Sequence, residues 1–337
     1  MPNSHPTLRD VARLAGVSHQ TVSRVINGSE DVLPETRANV EAAIKQLGYR
    51  PNAIARSMAR GQTHTLACIS PNLTDYTFAS VIEGAETEAR QHDYFLLSSS
   101  ATDPKAFHAL VDELVGHRRV DGLIVINPYS DDRFQHIPEK FPVVFVGAQS
   151  HEQKISSVCL DDEKVAYEAT RHLISLGHTD IALVTGPMEE DCSLDRTEGY
   201  RRALQEAGIP FDDSKIIEGD WSATSGQDAL LSFVEQGRVP TAVFAQNDRM
   251  AMGVLRAARD VNIKVPTQLA VIGVDDMPLS SYFDPPLTTM RQDMPRIGQE
   301  ATRMLLDIIQ KKNTDQRGVK LSAELVVRQS TSDKGGD

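Results

Sequence analysis

Residues 7–28 read TLRDVARLAGVSHQTVSRVING, and this stretch decides the architecture of the N-terminal end. Thr7 followed by Asp10 is a helix-start pattern, a capping hydroxyl with an acid on the first turn. Leu8, Val11, Ala12 and Ala15 then fall at i, i+3, i+4 and i+7, one face of a short helix. Gly16 stands where that helix stops, because glycine enters the left-handed region without steric cost. Ser18 can cap a second helix with Val22, Val25 and Ile26 on its apolar face and His19, Gln20, Ser23 and Arg24 on its exposed face. Asn27-Gly28 closes it, and a third helix is expected after Pro34, through Val40, Ala43, Ile44 and Leu47 to Gly48. Two short helices joined by a glycine-containing turn and buttressed by a third form a helix-turn-helix, whose second helix reads the DNA major groove. Gln20 suits the N6/N7 edge of adenine, and Arg24 the O6/N7 edge of guanine or a phosphate. On spacing alone, the same helices could also cap another domain with a solvated polar face.

Beyond Thr65 the pattern changes to short apolar runs alternating with helical periods. Strands are expected at 66–69, 94–98, 122–126, 143–146, 157–159, 181–185, 216–218, 242–245 and 270–273, with helices at 78–92, 105–116, 162–176 and 195–206. This βαβ alternation predicts parallel sheets with helices on both faces. The strands are too many for one compact sheet, so two lobes are expected, with the chain crossing near Leu160 and again near Thr289. Ligands of such sheets bind beyond the carboxyl ends of the strands, here in the cleft between lobes. Polar residues stand at those ends: Asn127, Asp161-Asp162, Gly186, Asp220-Trp221, Asn247-Asp248 and Asp275-Asp276. Acids and amides exchange hydrogen bonds with hydroxyls, and an indole covers the C–H face of a sugar. Trp221 is the only tryptophan and lies in the polar loop GDWSATSG, a poor place for a core residue.

The composition of the 337 residues divides along the same line. Net charge is −12, yet residues 1–60 carry eight bases against five acids, leaving 27 bases and 42 acids for the remainder. A head of +3 on a body of −15 marks where a polyanion can dock. Three cysteines, Cys68, Cys159 and Cys192, with no CxxC pair argue against a disulfide framework or structural zinc, and point to a reducing cytoplasm. Ten histidines form no HxxxH cluster, and no cofactor is expected. No apolar run reaches transmembrane length, and the N-terminus has no secretory-signal pattern. Adjacent aspartates on one strand end point in opposite directions, so they predict no glycosidase pair and no enzyme; Asp248 and Asp276 are expected as structural or hinge partners.

The run at 7–28, continued by LPETRANVEAAIKQLGYRPNAIARSMA, resembles the head of bacterial repressors of the lactose-repressor/galactose-repressor (LacI/GalR) family. The body segments LISLGHTDIALVTGP, DRTEGYRRALQEAGI, FAQNDRMAMGVLRAARD and LAVIGVDDMPLSSYFDPPLTTMRQDMPRIGQEA are similar to the family's effector domain. The resemblance implies an α-helical head (residues 5–50) on a two-lobed, parallel-sheet α/β body like a periplasmic binding protein, joined by a hinge helix at 51–62. The first lobe would comprise 63–160 and 291–318, the second 161–290 and 319–330, with a disordered tail at 331–337. It implies DNA contacts from Thr7, Ser18, His19, Gln20, Thr21, Ser23, Arg24 and Asn27, and from Asn52, Ala55 and Met58 of the hinge, where Met58 replaces the usual leucine wedge. It implies effector contacts from Tyr76, Phe78, Asn127, Arg196, Trp221, Asn247 and Asp275. After PVVFV, where the family's lactose repressor carries an acid that contacts its sugar, this chain has Gly147, leaving galactosides, glucosides and short oligosaccharides such as cellobiose open.

A half-site reader needs a homodimer on a pseudo-palindromic operator. The expectation is therefore a cytoplasmic, nucleoid-associated repressor of a carbohydrate-utilisation operon. Double-stranded operator DNA and a mono- or disaccharide inducer are its partners, with no membrane association. The sequence ends in VVRQSTSDKGGD without an apolar heptad tail, so a dimer rather than a tetramer is expected. The alternatives are a corepressor-dependent regulator and a sugar receptor without a DNA role.

Overall fold

A computed structural model describes residues 6–50, 61–127, 133–147, 155–312 and 318–332, and the chain divides into two units, residues 1–64 and 65–337. In the smaller unit the three expected helices are α1 (Leu8–Ala15), α2 (His19–Ile26) and α3 (Pro34–Leu47). Thr7 and Asp10 form a reciprocal capping box. The Thr7 N–H donates to Asp10 Oδ2 at 2.9 Å, and the Asp10 N–H donates to Thr7 Oγ1 at 3.4 Å. Gly16 ends α1 at φ 67°, a left-handed conformation that turns the chain into α2. Ser18 Oγ then accepts the Thr21 N–H at 3.1 Å, so α2 starts where the hydroxyl can cap it. Val11, Ala12, Val22, Val25, Val32, Val40 and Ala43 are buried together as this unit's core. The expected hinge contacts Asn52, Ala55 and Met58 lie outside the described residues.

The larger unit holds two six-stranded sheets. The first contains β1 (Thr65–Ser70), β2 (Phe95–Ser100), β3 (Gly122–Ile126), β4 (Val143–Val146), β5 (Ser157–Leu160) and β11 (Gly318–Leu321), in the order β11-β5-β4-β3-β1-β2, with every pairing parallel. The second contains β6 (Ile181–Thr185), β7 (Ile216–Glu218), β8 (Ala242–Ala245), β9 (Ala270–Asp275), β10 (Thr288–Arg291) and β12 (Glu324–Val326), in the order β12-β10-β9-β8-β6-β7. Only β12 runs antiparallel, beside β10. Strands β3, β6, β8 and β9 are buried along their whole length, which is why they read as unbroken apolar runs rather than alternating ones.

Helices cover both faces of each sheet. α4 (Tyr76–Gln91) and α10 (Met294–Ile309) bury Val81, Ala85, Ile297, Ala301 and Leu305 against Leu66, Ile124 and Val144, while α5 (Pro104–Val111) brings Phe107 and Val111 to the opposite face. In the second lobe α8 (Ala223–Glu235) and α9 (Asp248–Asp260) cover one face, and α6 (Asp162–Ser175) and α7 (Asp191–Glu206) the other. α4 and α10 meet backbone to backbone: a Cβ on Gly84 would stand 1.9 Å from Pro295 O, and one on Gly298 1.9 Å from Val81 O.

The chain passes between sheets after Leu160, after Arg291 and after Leu321. The last crossing falls later than the expected 318/319 boundary, because Gly318–Leu321 pairs in register with Ser157–Leu160. Thr331, expected to start the tail, is instead buried; its hydroxyl lies 2.9 Å from both His172 Nε2 and Thr288 Oγ1. Among the described residues no helix is long and apolar enough to cross a membrane, and no group of three or more His, Cys, Asp or Glu side chains could hold a metal ion.

Candidate DNA-reading face and effector cavity

In the small unit Thr7, Ser18, His19, Gln20, Arg24 and Asn27 are exposed, and Thr21 and Ser23 are half-buried. They divide by what their side chains already do. Thr7 and Ser18 cap helices, Thr21 Oγ1 is 2.9 Å from Ser18 Oγ, and Asn27 Nδ2 donates to Ser23 Oγ at 3.3 Å. His19, Gln20 and Arg24 project from α2 with no hydrogen-bond partner among the described residues. Their donors and acceptors stand free on the first and second turns of the helix, the part that a helix-turn-helix directs at base edges.

In the larger unit a cavity of about 380 Å³ opens between the two lobes, at the carboxyl ends of the parallel strands. Phe78, Val81, Ile126, Val146, Met294 and Ile297 make its apolar side, all from the first lobe. The second lobe supplies Asp162, Glu190, Arg196, Asp220, Trp221, Asn247, Arg249 and Asp275. Six of the seven expected contacts, Tyr76, Phe78, Arg196, Trp221, Asn247 and Asp275, are thereby brought together. Asn127 is not on the wall. It is buried at the end of β3, with its backbone N–H donating to Val146 O at 2.9 Å.

Trp221 is held from several sides. Its own backbone is left-handed at φ 67°, and the next residue is fixed by its N–H donating to Asp220 Oδ1 at 2.9 Å. The indole ring lies directly on Gly186, where an added Cβ would be 2.0 Å from Cζ2. Indole Nε1 donates to Glu190 Oε2 at 3.1 Å, and Asn247 Nδ2 donates to the Trp221 carbonyl at 3.1 Å. Asn247 is also the N-cap of α9, its Oδ1 accepting the Met250 N–H at 2.7 Å. The geometry therefore makes Asn247 a positioner of the indole as well as a residue of the wall.

Arg196 Nε donates to Asp162 Oδ1 at 2.7 Å and Nη1 donates to Gln246 O, with the guanidinium carbon 6.0 Å from the Trp221 ring centroid. Burial works against the Arg196 charge, but Asp162 and the neighbouring acids outweigh it and hold the guanidinium protonated. Burial raises the Asp162 and Glu190 carboxyls above the usual range, opposed by Arg196 in the first case and by the Trp221 hydrogen bond in the second. Asp275, which accepts from Gln292 Nε2 at 3.0 Å, is pushed well up by burial and then by the Asp248 carboxylate. Across the mouth Arg249 Nη2 of the second lobe donates to Asp75 Oδ2 of the first at 2.5 Å. Burial pushes the Cys159 thiol up to about 11 and raises Cys192 too, so both face the cavity as neutral groups.

Asp248 and Asp276 lie beside the site as structural residues, as expected. Asp248 is fully buried and accepts from Ser280 Oγ, Thr289 Oγ1 and the Met277 N–H. Asp276 pairs with Arg291 and Arg328, each at 2.6 Å. Asp75, Glu190, Cys192, Arg249 and Gln292 are wall residues that sequence reasoning missed. The available signal was topological. Asp75 and Glu190 are N-caps and Arg249 is the second residue of a helix, and in parallel sheets all such helix starts face the ligand end.

Residues 7–52 match the family model of bacterial regulatory proteins, lacI family, and residues 170–331 match the periplasmic binding protein-like domain. Catabolite control protein A of Priestia megaterium is 39% identical over 330 residues, covering 96% of this chain and 99% of that one. The chain belongs to the LacI family. Membership makes it a DNA-binding transcriptional regulator and not an enzyme. The HTH-type transcriptional repressor PurR of Edwardsiella ictaluri (strain 93-146) is 35% identical over 331 residues, covering 97% of each chain. Among solved structures, the lac repressor dimer bound to operator and the anti-inducer ONPF superposes with TM-score 0.89 at 32% identity, covering 97% of this chain and 99% of that chain. The transcriptional regulator CelR–cellobiose complex superposes with TM-score 0.76 at 32% identity, covering 96% and 99%. The two-lobed parallel-sheet architecture is thus that of LacI-family structures.

Proposed function

We propose that this protein is a dimeric repressor of carbohydrate-utilisation genes, released from a pseudo-palindromic operator when a neutral mono- or disaccharide binds between its lobes. The observation that carries the reading is the seating of Trp221, an indole fixed at the cavity wall among carboxylates. An aromatic plane beside acceptors complements a ring with one C–H face and a hydroxyl edge. The likeness to a regulator solved with cellobiose supports a ligand of that class. The dimer is supported by exposed apolar side chains, Phe95 and Leu97 on edge strand β2 and Leu279 and Tyr282 before β10, which a monomer would leave in water. His19, Gln20 and Arg24 are the base-reading side chains in this proposal, aided by the hinge residues Asn52, Ala55 and Met58.

The test is a thermal-shift and operator-release series with cellobiose, lactose, glucose and hypoxanthine. A ligand specific to the native state raises its melting temperature. A sugar that raises the melting temperature and releases operator DNA supports the reading. Tightened operator binding by hypoxanthine, with no response to the sugars, would replace it with a corepressor-dependent regulator akin in sign to a purine repressor.

A further inference from the structure

We propose that Gln246 is a positioning residue for effector binding: without reaching the cavity, it fixes the Trp221 ring and the Arg196 guanidinium relative to each other. This inference rests on the reading of the interlobe cleft as the effector site. Gln246 follows the last residue of β8, is fully buried, and stands behind the cavity wall rather than in it. Its polar groups are all used. The main-chain N–H donates to Val184 O of β6 at 2.9 Å, and the carbonyl accepts Arg196 Nη1. Side-chain Oε1 accepts the Gly186 N–H at 3.0 Å, and Nε2 donates to Ser193 O and to Thr197 Oγ1, each at 3.2 Å. These partners admit one orientation of the amide. Turned over, it would set its NH2 against an N–H and its oxygen against a carbonyl.

The partners belong to two parts of the site. Gly186 lies directly under the indole, and Ser193 and Thr197 flank Arg196 on the first turns of α7. Other anchors hold one group each: Glu190 and Asn247 hold Trp221, and Asp162 holds Arg196. Gln246 is bonded both to Arg196 and to the glycine beneath the ring, so the 6.0 Å between guanidinium carbon and ring centroid is tied through one side chain. Only a neutral amide can do this. A carboxylate would face the Ser193 carbonyl without a proton, and an apolar side chain would leave the Gly186 N–H buried without an acceptor. A ligand gains fully from the ring and the guanidinium only when both already stand where it needs them.

The experiment compares the full-length wild type with Gln246→Met, which keeps the length of the side chain and removes its polar atoms. Trp221, the only tryptophan of the chain, reports the ring by its emission. The expected result is a cooperatively unfolding protein whose ligand-free emission shifts to the red, and which binds cellobiose or lactose, whichever binds the wild type, roughly tenfold or more weakly. A lowered melting temperature with wild-type emission and affinity overturns the assignment, because Gln246 would then serve stability alone. Shifted emission with unchanged affinity, or weakened affinity with unshifted emission, also overturns it, since the ring and the binding would not be linked through Gln246. If the methionine protein fails to fold, Gln246→Ala carries the same readouts, because the vacated space admits water to the Gly186 N–H and Thr197 Oγ1. If neither sugar binds the wild type, the sugar reading falls, and the ligand-free emission still decides the assignment: an unshifted maximum overturns it.

Discussion

Substituting Gly186 with alanine tests whether the position of Trp221 governs the effector response. The methyl carbon would be built 2.0, 2.3 and 2.4 Å from ring atoms Cζ2, Cη2 and Cε2. Non-bonded carbons settle at about 3.5–4.0 Å, so the ring must retreat by roughly 1.5 Å. Gly186 cannot give way easily, because its N–H donates to the buried Gln246 Oε1 at 3.0 Å. The Trp221 backbone is fixed by Asn247 and by the start of α8, which leaves a rotation of the side chain that breaks the bond to Glu190. Overpacking of this kind costs about 1–3 kcal/mol, which in a domain of this size lowers the melting temperature by roughly 2–10 °C. The indole, moved off its seat, loses its face on the ligand, and sugar affinity falls by about tenfold or more. Intrinsic fluorescence reads both effects, since a displaced indole emits from a wetter place and its titration by sugar weakens. A double-mutant cycle isolates the clash: in a Trp221→Ala background the same methyl should cost less than about 0.5 kcal/mol. A folded Gly186→Ala protein with wild-type emission and sugar affinity would refute the seating of the ring on Gly186.

Further outcomes follow from the same geometry. Burial raises the Asp248 carboxyl to about 6 from 3.8, so its contribution to stability is complete below 3.8 and is lost as pH rises through about 6. Asparagine has no proton to release, so the stability gap between wild type and Asp248→Asn should narrow from pH 4 to pH 7; equal gaps in urea unfolding at the two pH values would contradict this. Arg249→Ala removes the ion pair across the cleft, which is partly exposed and worth about 0.5–1 kcal/mol. Sugar affinity should drop roughly two- to fivefold at low salt, and a difference that persists undiminished in 1 M salt would show that the pair is not its source. Gln20→Ala should weaken binding to the preferred operator by about 1–3 kcal/mol and relax preference at one base position. Uniform weakening across all sequences, measured by competition, would place Gln20 on phosphate instead.

The three head helices were legible to within a residue, because each boundary is set by a local device: the Thr7 box, the left-handed Gly16 and the Ser18 cap. The buried strands β3, β6 and β8 were equally plain, since burial on both faces writes an unbroken apolar run. β10, β11 and β12 were not foreseen. Their burial is mixed, and they owe their pairing to neighbours far away in the chain, as when Lys320 aligns with Cys159. β2 was placed one residue early; it is an edge strand with Phe95 exposed, so no core periodicity fixes its start. In the site, strand-end residues such as Asp275 could be read from the apolar run before them. Glu190 and Arg249 lie one helix start further on, where only the assembled topology shows which way a side chain faces.

The charge of the cavity bears on ligand class more directly than the charge of the chain. Five carboxylates line it, Asp75, Asp162, Glu190, Asp220 and Asp275, against the two guanidinium groups of Arg196 and Arg249. Both cations are already engaged, one with Asp162 and the other with Asp75, so neither is free to receive an anion. Burial raises the carboxyls of Asp162, Glu190 and Asp275, and at Asp275 the Asp248 carboxylate adds to it, so the cleft resists further negative charge there. A phosphorylated sugar would enter that field with about one and a half to two further negative charges and no unpaired cation to meet them. A neutral polyol instead brings hydroxyl donors to a wall of carboxylate acceptors without adding charge. On the proposed reading, the acids of the cleft thus favour a neutral ligand over an anionic one.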